Sequence, residues 1–244
     1  RGSCESHDRG FIDGWKASDP NQPAAIIAEA QMLMAEAWCV RGRGYAQTVP
    51  VPAMRMFQLR MKMAHDLLEV HHDTASVDPE YYAAMAGAYR GLNKSYTALI
   101  ALLDGAAERE PYYLNAYFEA SLQFLPQWGG GPEAMTYFAR YVASKTEASD
   151  KTGFYYRIYW HLDDCNCASR VAGWDREALK QGMRDVYERY PVPFNAQRMI
   201  EDNCRAGDVE EAKFYMKALN PMATSDADLG PMIDGCRAQA SRPA

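Results

Sequence analysis

The sequence predicts an all-α chain built from stacked helix–turn–helix units. Three observations carry this. Apolar residues recur at steps of three and four over most of the 244 residues, no run alternating with a period of two reads as a strand, and a glycine-led segment repeats along the chain.

The elements follow in order. From Pro23 to Val40, residues Ile26, Ala30, Leu33 and Ala37 share one helical face. From Pro52 to Val70, residues Met54, Phe57, Met61, Ala64 and Leu68 do the same, with Arg55, Lys62 and Glu69 along a different line. Asp78-Pro79 puts a capping carboxylate before a first-turn proline, the favoured order at a helix start. Pro111, Pro132, Pro193 and Pro221 also stand at edges of periodic segments, where a missing N–H costs little. Leu179, Met183, Val186 and Tyr190 repeat the apolar stripe near the C-terminus. Predicted helices cover 23–40, 52–70, 79–92, 94–109, 112–125, 132–147, 151–163, 175–190, 193–205 and 208–219, with a last one over 226–239. Residues 1–22 read as a poorly ordered N-terminal segment, 23–220 as a single helical-repeat domain, and 221–244 as a C-terminal helix and tail.

Gly207-Asp208-Val209-Glu210-Glu211-Ala212 opens one helix, with Met216 four residues after Ala212. Gly173-Trp174-Asp175-Arg176-Glu177-Ala178 lies 34 residues earlier, and Gly129 with Ala134 and Phe138 lies 44 before that. A turn glycine, a small residue and a bulky one at these offsets suit a helix closing on its partner. The G-D-x-x-E-A segment and the 34-residue step resemble tetratricopeptide repeats, which stack helical hairpins into an α-solenoid. That resemblance implies about four to five hairpins here. Ala37-Trp38-Cys39-Val40-Arg41-Gly42-Arg43-Gly44, Pro126-Gln127-Trp128-Gly129-Gly130-Gly131 with Met135, Phe138 and Ala139, and Asn203-Cys204-Arg205-Ala206-Gly207-Asp208 further resemble an uncharacterised bacterial helical-repeat family. The likeness spans residues 12–220 and marks Trp128, Gly129, Gly130, Gly173, Gly207 and Asp208 as structural motif residues. It implies a fold and supplies no reaction.

Composition narrows the function classes. Apolar residues at 48% suffice for a sizeable core. A net charge of −6 argues against nucleic acid as the main partner, because phosphate neutralisation needs a basic face. No stretch approaches the roughly 20 apolar residues of a membrane-spanning helix. Gly2-Ser3-Cys4 resembles the acylation site of bacterial lipoproteins, with Arg1 where that site wants an apolar residue. The six cysteines are too few for a disulfide scaffold in a chain this long. The redox compartment stays open, with the bacterial cytoplasm favoured over the periplasm.

Each cluster that could carry chemistry has a structural alternative. His65, His71, His72 and Asp73 could ligate a metal at a helix end, but lack H-E-x-x-H spacing. His161, Cys165 and Cys167 are a second candidate metal set, and Cys165 or Cys167 could instead form a disulfide with Cys204. Either set would support a metal-dependent hydrolase. Gly129-Gly130-Gly131 precedes a helix without the Lys-Ser or Lys-Thr of a phosphate loop, and G-x-S-x-G is missing. No catalytic residue and no cofactor is therefore assigned.

The remaining candidates form a partner-binding set. Tyr112, Tyr113 and Tyr117 open one predicted hairpin; Tyr155, Tyr156 and Tyr159 open another; Arg41, Arg43 and Arg157 could add polar contacts. The expectation is a non-enzymatic scaffold that binds another protein on a concave helical surface, such as an immunity or adaptor protein for a bacterial effector. Its acidic balance suits a basic partner.

Overall fold

The computed structural model describes Cys4 and residues 9–164, 173–222 and 225–240. Among these residues the chain is all-α, with no strand. It separates into two compact units, the first Arg1–Phe138 with His161–Gly173 and the second Ala139–Trp160 with Trp174–Ala244.

The first unit is organised around α2 (Pro23–Arg41). Pro23 occupies its first turn, the Gln22 side chain accepts from the Ala24 N–H at 2.7 Å, and Gly42 ends it at φ 73°. Ala25, Ile26, Ile27, Ala30, Met32, Leu33, Met34 and Ala37 are all buried, so apolar residues cover nearly the whole circumference. A helix of that kind has to be enclosed. It packs against α1 (Arg9–Ser18), α3 (Val51–Val70) and α5 (Glu80–Gly91). α3 is one-sided, burying Phe57, Met61, Ala64 and Leu68 at the spacing the sequence predicts. Burial of each of the larger three stabilises by roughly 1.5–3 kcal/mol.

One charge interrupts the apolar surface of α2. Glu36 is 2% exposed and accepts from Arg9 on α1 at 2.8 and 2.9 Å, with Arg60 of α3 at 3.4 Å. A buried carboxylate is tolerated when paired in this way. This contact also corrects the N-terminal expectation. Residues 9–18 form a helix held by Arg9–Glu36, by Lys16–Glu29 and by burial of Ile12, and Cys4 is disulfide-bonded to Cys39. The Cys4 sulfur is thus committed to another sulfur, which leaves no valence for the thioether of a lipid anchor.

α5 is lined with small residues, Ala83, Ala84, Ala86, Gly87 and Ala88, which let it pack closely against α3, α2 and α7 (Leu114–Ser121). The short α4 (His72–Ala75) leads into it, and the Asp78 carboxylate accepts from the Glu80 N–H at 2.9 Å. α6 (Tyr96–Arg109) begins where Ser95 caps the Ala98 N–H at 3.2 Å. The first part of α8 (Pro132–Lys145) and the last turn of α10 (Gly153–Asp164) complete this unit.

The second unit contains the remainder of α8 and α10, α9 (Glu147–Asp150), α11 (Arg176–Arg189), α12 (Pro193–Arg205), α13 (Val209–Leu219) and α14 (Gly230–Ala240). Asp175 and Asp208 cap α11 and α13, accepting from Ala178 at 3.1 Å and Glu211 at 3.2 Å. Gly207 turns at φ 74°, and the Asp208 N–H reaches back to the Asn203 carbonyl at 2.9 Å, a Schellman closure that accounts for the glycine-aspartate pair. Thirty-four residues before Met216 stands Gly182, where a Cβ would lie 3.0 Å from Tyr156 Cβ and 3.1 Å from the Thr152 carbonyl oxygen. Backbone approach replaces the bulky residue there.

Cys204 is bonded to Cys236 on α14, not to Cys165 or Cys167, both of which lie outside the described residues. The bridge lies in a core of Ala212, Met216, Leu229 and Ile233. Its half-cystines are 32 residues apart, and a loop of that size stabilises by roughly 3–4 kcal/mol. Cys236→Ala should weaken the second unit by about that amount in urea unfolding followed by Trp160 and Trp174 fluorescence. A loss below about 1 kcal/mol would show that packing alone holds α14.

Candidate functional site

Within the first unit, four helices turn side chains toward one cavity of about 500 Å³. α2 supplies Gln31, Met34 and Trp38; α5 supplies Glu80, Ala83, Ala84, Gly87 and Arg90; α7 supplies Asn115, Phe118 and Glu119; and α10 supplies His161. On α2 and α5 these residues recur every three or four positions, so one face of each helix lines the wall.

The polar groups of the cavity are fixed. Arg90 donates to Glu119 at 2.5 Å, Gln31 donates to Glu80 at 2.5 Å, and the Tyr113 hydroxyl donates to the other Glu80 oxygen. The Arg90 side chain is 11% exposed and its Nε has no protein acceptor, although the guanidinium also lies over the Trp38 and Trp128 rings at 5.9 and 5.8 Å. Gly87 makes room for this arrangement, since a Cβ there would stand 3.2 Å from Glu119 Oε1 and 3.6 Å from Met34 Sδ. His161 stacks on Phe118, with centroids 4.4 Å apart and planes at 9°.

A second cavity of about 890 Å³ lies on the Trp38 side, lined by Cys39, Arg41 to Ala46, Gln127 and Trp128. Trp38 and Trp128 meet edge to face at 5.8 Å. Two of the three segments that carry the resemblance, 37–44 and 126–131, are therefore neighbours in space. Trp128 is placed by Gly129 at φ 85° and by Gly130, where a Cβ would stand 1.9 Å from the Phe124 carbonyl oxygen. That contact is the physical reason for the W-G-G sequence. Gly173, at φ 91°, likewise turns against Pro132, with 3.3 Å between an added Cβ and the ring.

The tyrosines divide between surface and core. Tyr117, Tyr155 and Tyr156 are 0–2% exposed and cannot meet a partner. Tyr156 donates to buried Asp202 at 2.7 Å, Tyr155 accepts from the Asp175 N–H at 3.2 Å, and burial pushes Tyr117 up to about 12. Tyr159 packs against Trp174 at 5.4 Å. Only Tyr112, 44% exposed, and Tyr113, through Glu80, remain available to the candidate surface. Arg157 is held by Asp150 at 2.8 Å and by the Tyr190 ring, so it serves the second unit's packing. Arg41 and Arg43 both line the larger cavity.

Among the described residues the His65, His71, His72 and Asp73 set does not assemble, and Cys165 and Cys167 of the second set lie outside the described residues. His65 stacks on Tyr89 at 5.7 Å, while His72 leans on Tyr81 and bonds Asp73 at 3.0 Å. Among the described residues no three His, Cys, Asp or Glu side chains converge on a point, and no helix is long and apolar enough to cross a membrane. Sequence reasoning missed Gln31, Gly87, Arg90, Asn115 and Glu119. The one available signal was on α5, where Glu80, Gly87 and Arg90 fall on the same line as two alanines.

Burial lowers the His161 imidazole below its ordinary value, with Asp164 partly opposing. Between that depressed value and about 6.5 the unfolded chain binds a proton that the folded chain does not. Stability is therefore complete above the window and falls as pH drops through it. His161→Phe keeps the stack on Phe118 and removes the titration. Urea unfolding should then show a smaller loss of stability from about pH 7 to about pH 5 in the variant than in the parent, and an equal loss would refute the assignment. No protein-family model, curated protein or solved structure matches the chain, so the functional reading rests on these two cavities.

Proposed function

We propose that this chain is a non-enzymatic scaffold that binds an extended, basic segment of another protein in the cavity between α2, α5, α7 and α10. The observation that carries this reading is that one face each of α2, α5 and α7 lines a single cavity, joined by His161 of α10, an arrangement that would suit a tetratricopeptide-like array with a concave binding surface. Its chemistry fits a peptide. The Gln31 and Asn115 carboxamides each offer a donor and an acceptor, as a peptide main chain requires, while Met34, Trp38 and Phe118 supply apolar contact. Glu119 is paired with Arg90, whereas among the described residues Glu80 accepts from the neutral Gln31 and Tyr113 and makes no ion pair, which suits a lysine or arginine of the partner. The net charge of −6 acts in the same direction by steering a basic partner. An immunity or adaptor protein for one effector is the narrower form of this reading.

The Cys4–Cys39 and Cys204–Cys236 bridges support an oxidising compartment over the cytoplasm. The metal-dependent hydrolase alternative retains only His161 with Cys165 and Cys167, whose cysteines lie outside the described residues.

The test is capture of partners from an extract of the source organism, with Glu80→Gln and Asn115→Ala as variants. Both substitutions leave the buried core untouched. One stoichiometric partner should be retained by the parent chain and held at least about tenfold more weakly by each variant, about 1.4 kcal/mol. A partner that binds both variants as tightly as the parent would reject this cavity as the binding surface.

A further inference from the structure

The larger cavity differs in chemistry from the peptide-like one. Arg41 and Arg43 are its charged groups, and among the described residues no carboxylate lines it, in a chain with 32 acidic residues against 26 basic. Its two arginines stand in different states. Arg41 is anchored: Nη1 donates to the Gly42 and Gly44 carbonyls at 3.1 Å each, and the guanidinium lies 5.3 Å above Trp38 and 5.7 Å from Phe57. Among the described residues its Nε and Nη2 protons meet no acceptor. Arg43 is exposed, with no hydrogen bond or ion pair to any described residue.

The walls are aromatic. Trp38 and Trp128 present a face and an edge at right angles, and Tyr45 stands 76% exposed at the mouth. Arg90 covers both indoles from the opposite cavity and so holds them in place. Gly42, at φ 73°, allows the chain to double back so that Arg41 and Arg43 line the same space.

We propose that this cavity binds a small aromatic anion, a flat ring carrying a carboxylate or phosphate group. Its volume of about 890 Å³ accommodates a ligand of that size. The guanidinium forks of Arg41 and Arg43 bond the anionic group, with the anchored Arg41 losing little freedom on binding. The ring packs into the angle between the indoles, where an aromatic contact adds about 0.5–1.5 kcal/mol beyond area burial. A cationic guest is repelled by two guanidiniums, and a purely apolar guest leaves both unpaired. The two cavities share Trp38, but none of the charged groups of this one lines the other, so loss of anion binding in Arg43→Gln is separable from the peptide-binding reading.

The test titrates the intact, oxidised protein with 2-naphthoate, 2-naphthyl phosphate and the neutral 2-naphthalenemethanol, following indole N–H resonances by NMR and heat by calorimetry. At least one anion should bind with Kd below about 1 mM and at least about tenfold more tightly than the alcohol. The tighter of the two anions identifies the acidic group. Trp38 and Trp128 should shift while Trp15, Trp160 and Trp174 do not. Arg43→Gln, at an exposed position that cannot disturb the fold, should weaken the anion about tenfold, and Arg41→Gln should do the same. Equal binding of the alcohol, shifts at other tryptophans, undiminished affinity in Arg43→Gln, or no binding by either anion would each overturn the proposal.

Discussion

The enclosure of α2 is the constraint on which the first unit depends. A helix apolar on almost every face cannot rest on one neighbour, and α1, α3 and α5 cover it from three sides. Once covered, it has no solvent for its one internal charge, so Glu36 must find cations on the covering helices, and Arg9 and Arg60 supply them. The strip Gln31, Met34 and Trp38 faces the first cavity, and Ala35, Trp38 and Cys39 border the second.

Elements with one apolar face were legible in the sequence, because a single face leaves a single periodic stripe. α3 is the clearest case: the buried set Phe57, Met61, Ala64 and Leu68 is the stripe read from spacing. The N-terminal helix was not legible, since what holds it is a carboxylate at position 36, another at 29 and a cysteine at 39. None of these partners leaves a trace in residues 1–22. The tyrosines failed for a related reason. Tyr117, Tyr155 and Tyr156 share a composition with surface aromatics and differ from them only in which face of the helix they occupy. The partner of Cys204 likewise depends on where α14 docks, which helical periodicity does not encode.

The glycines show the same division between identity and meaning. The W-G-G run was visible as a turn, yet its demand for glycine comes from the Phe124 carbonyl pressed against Gly130, a contact within the fold. Gly182 is the converse: nine residues after Gly173 the spacing leads one to expect a bulky residue like Met216, nine after Gly207, yet the backbone itself fills the groove against Tyr156 and only a glycine fits.

Trp38 lines both cavities, and the charges on its two sides are opposite in use. On one side Arg90 is paired with Glu119, and Glu80 accepts from neutral groups; on the other, Arg41 and Arg43 meet no described carboxylate. Two cations, Arg41 and Arg90, lie against the same indole. Trp38 and Trp128 meet edge to face, and the Arg90 guanidinium lies over both rings, so a single cation ties together the two segments that carry these indoles.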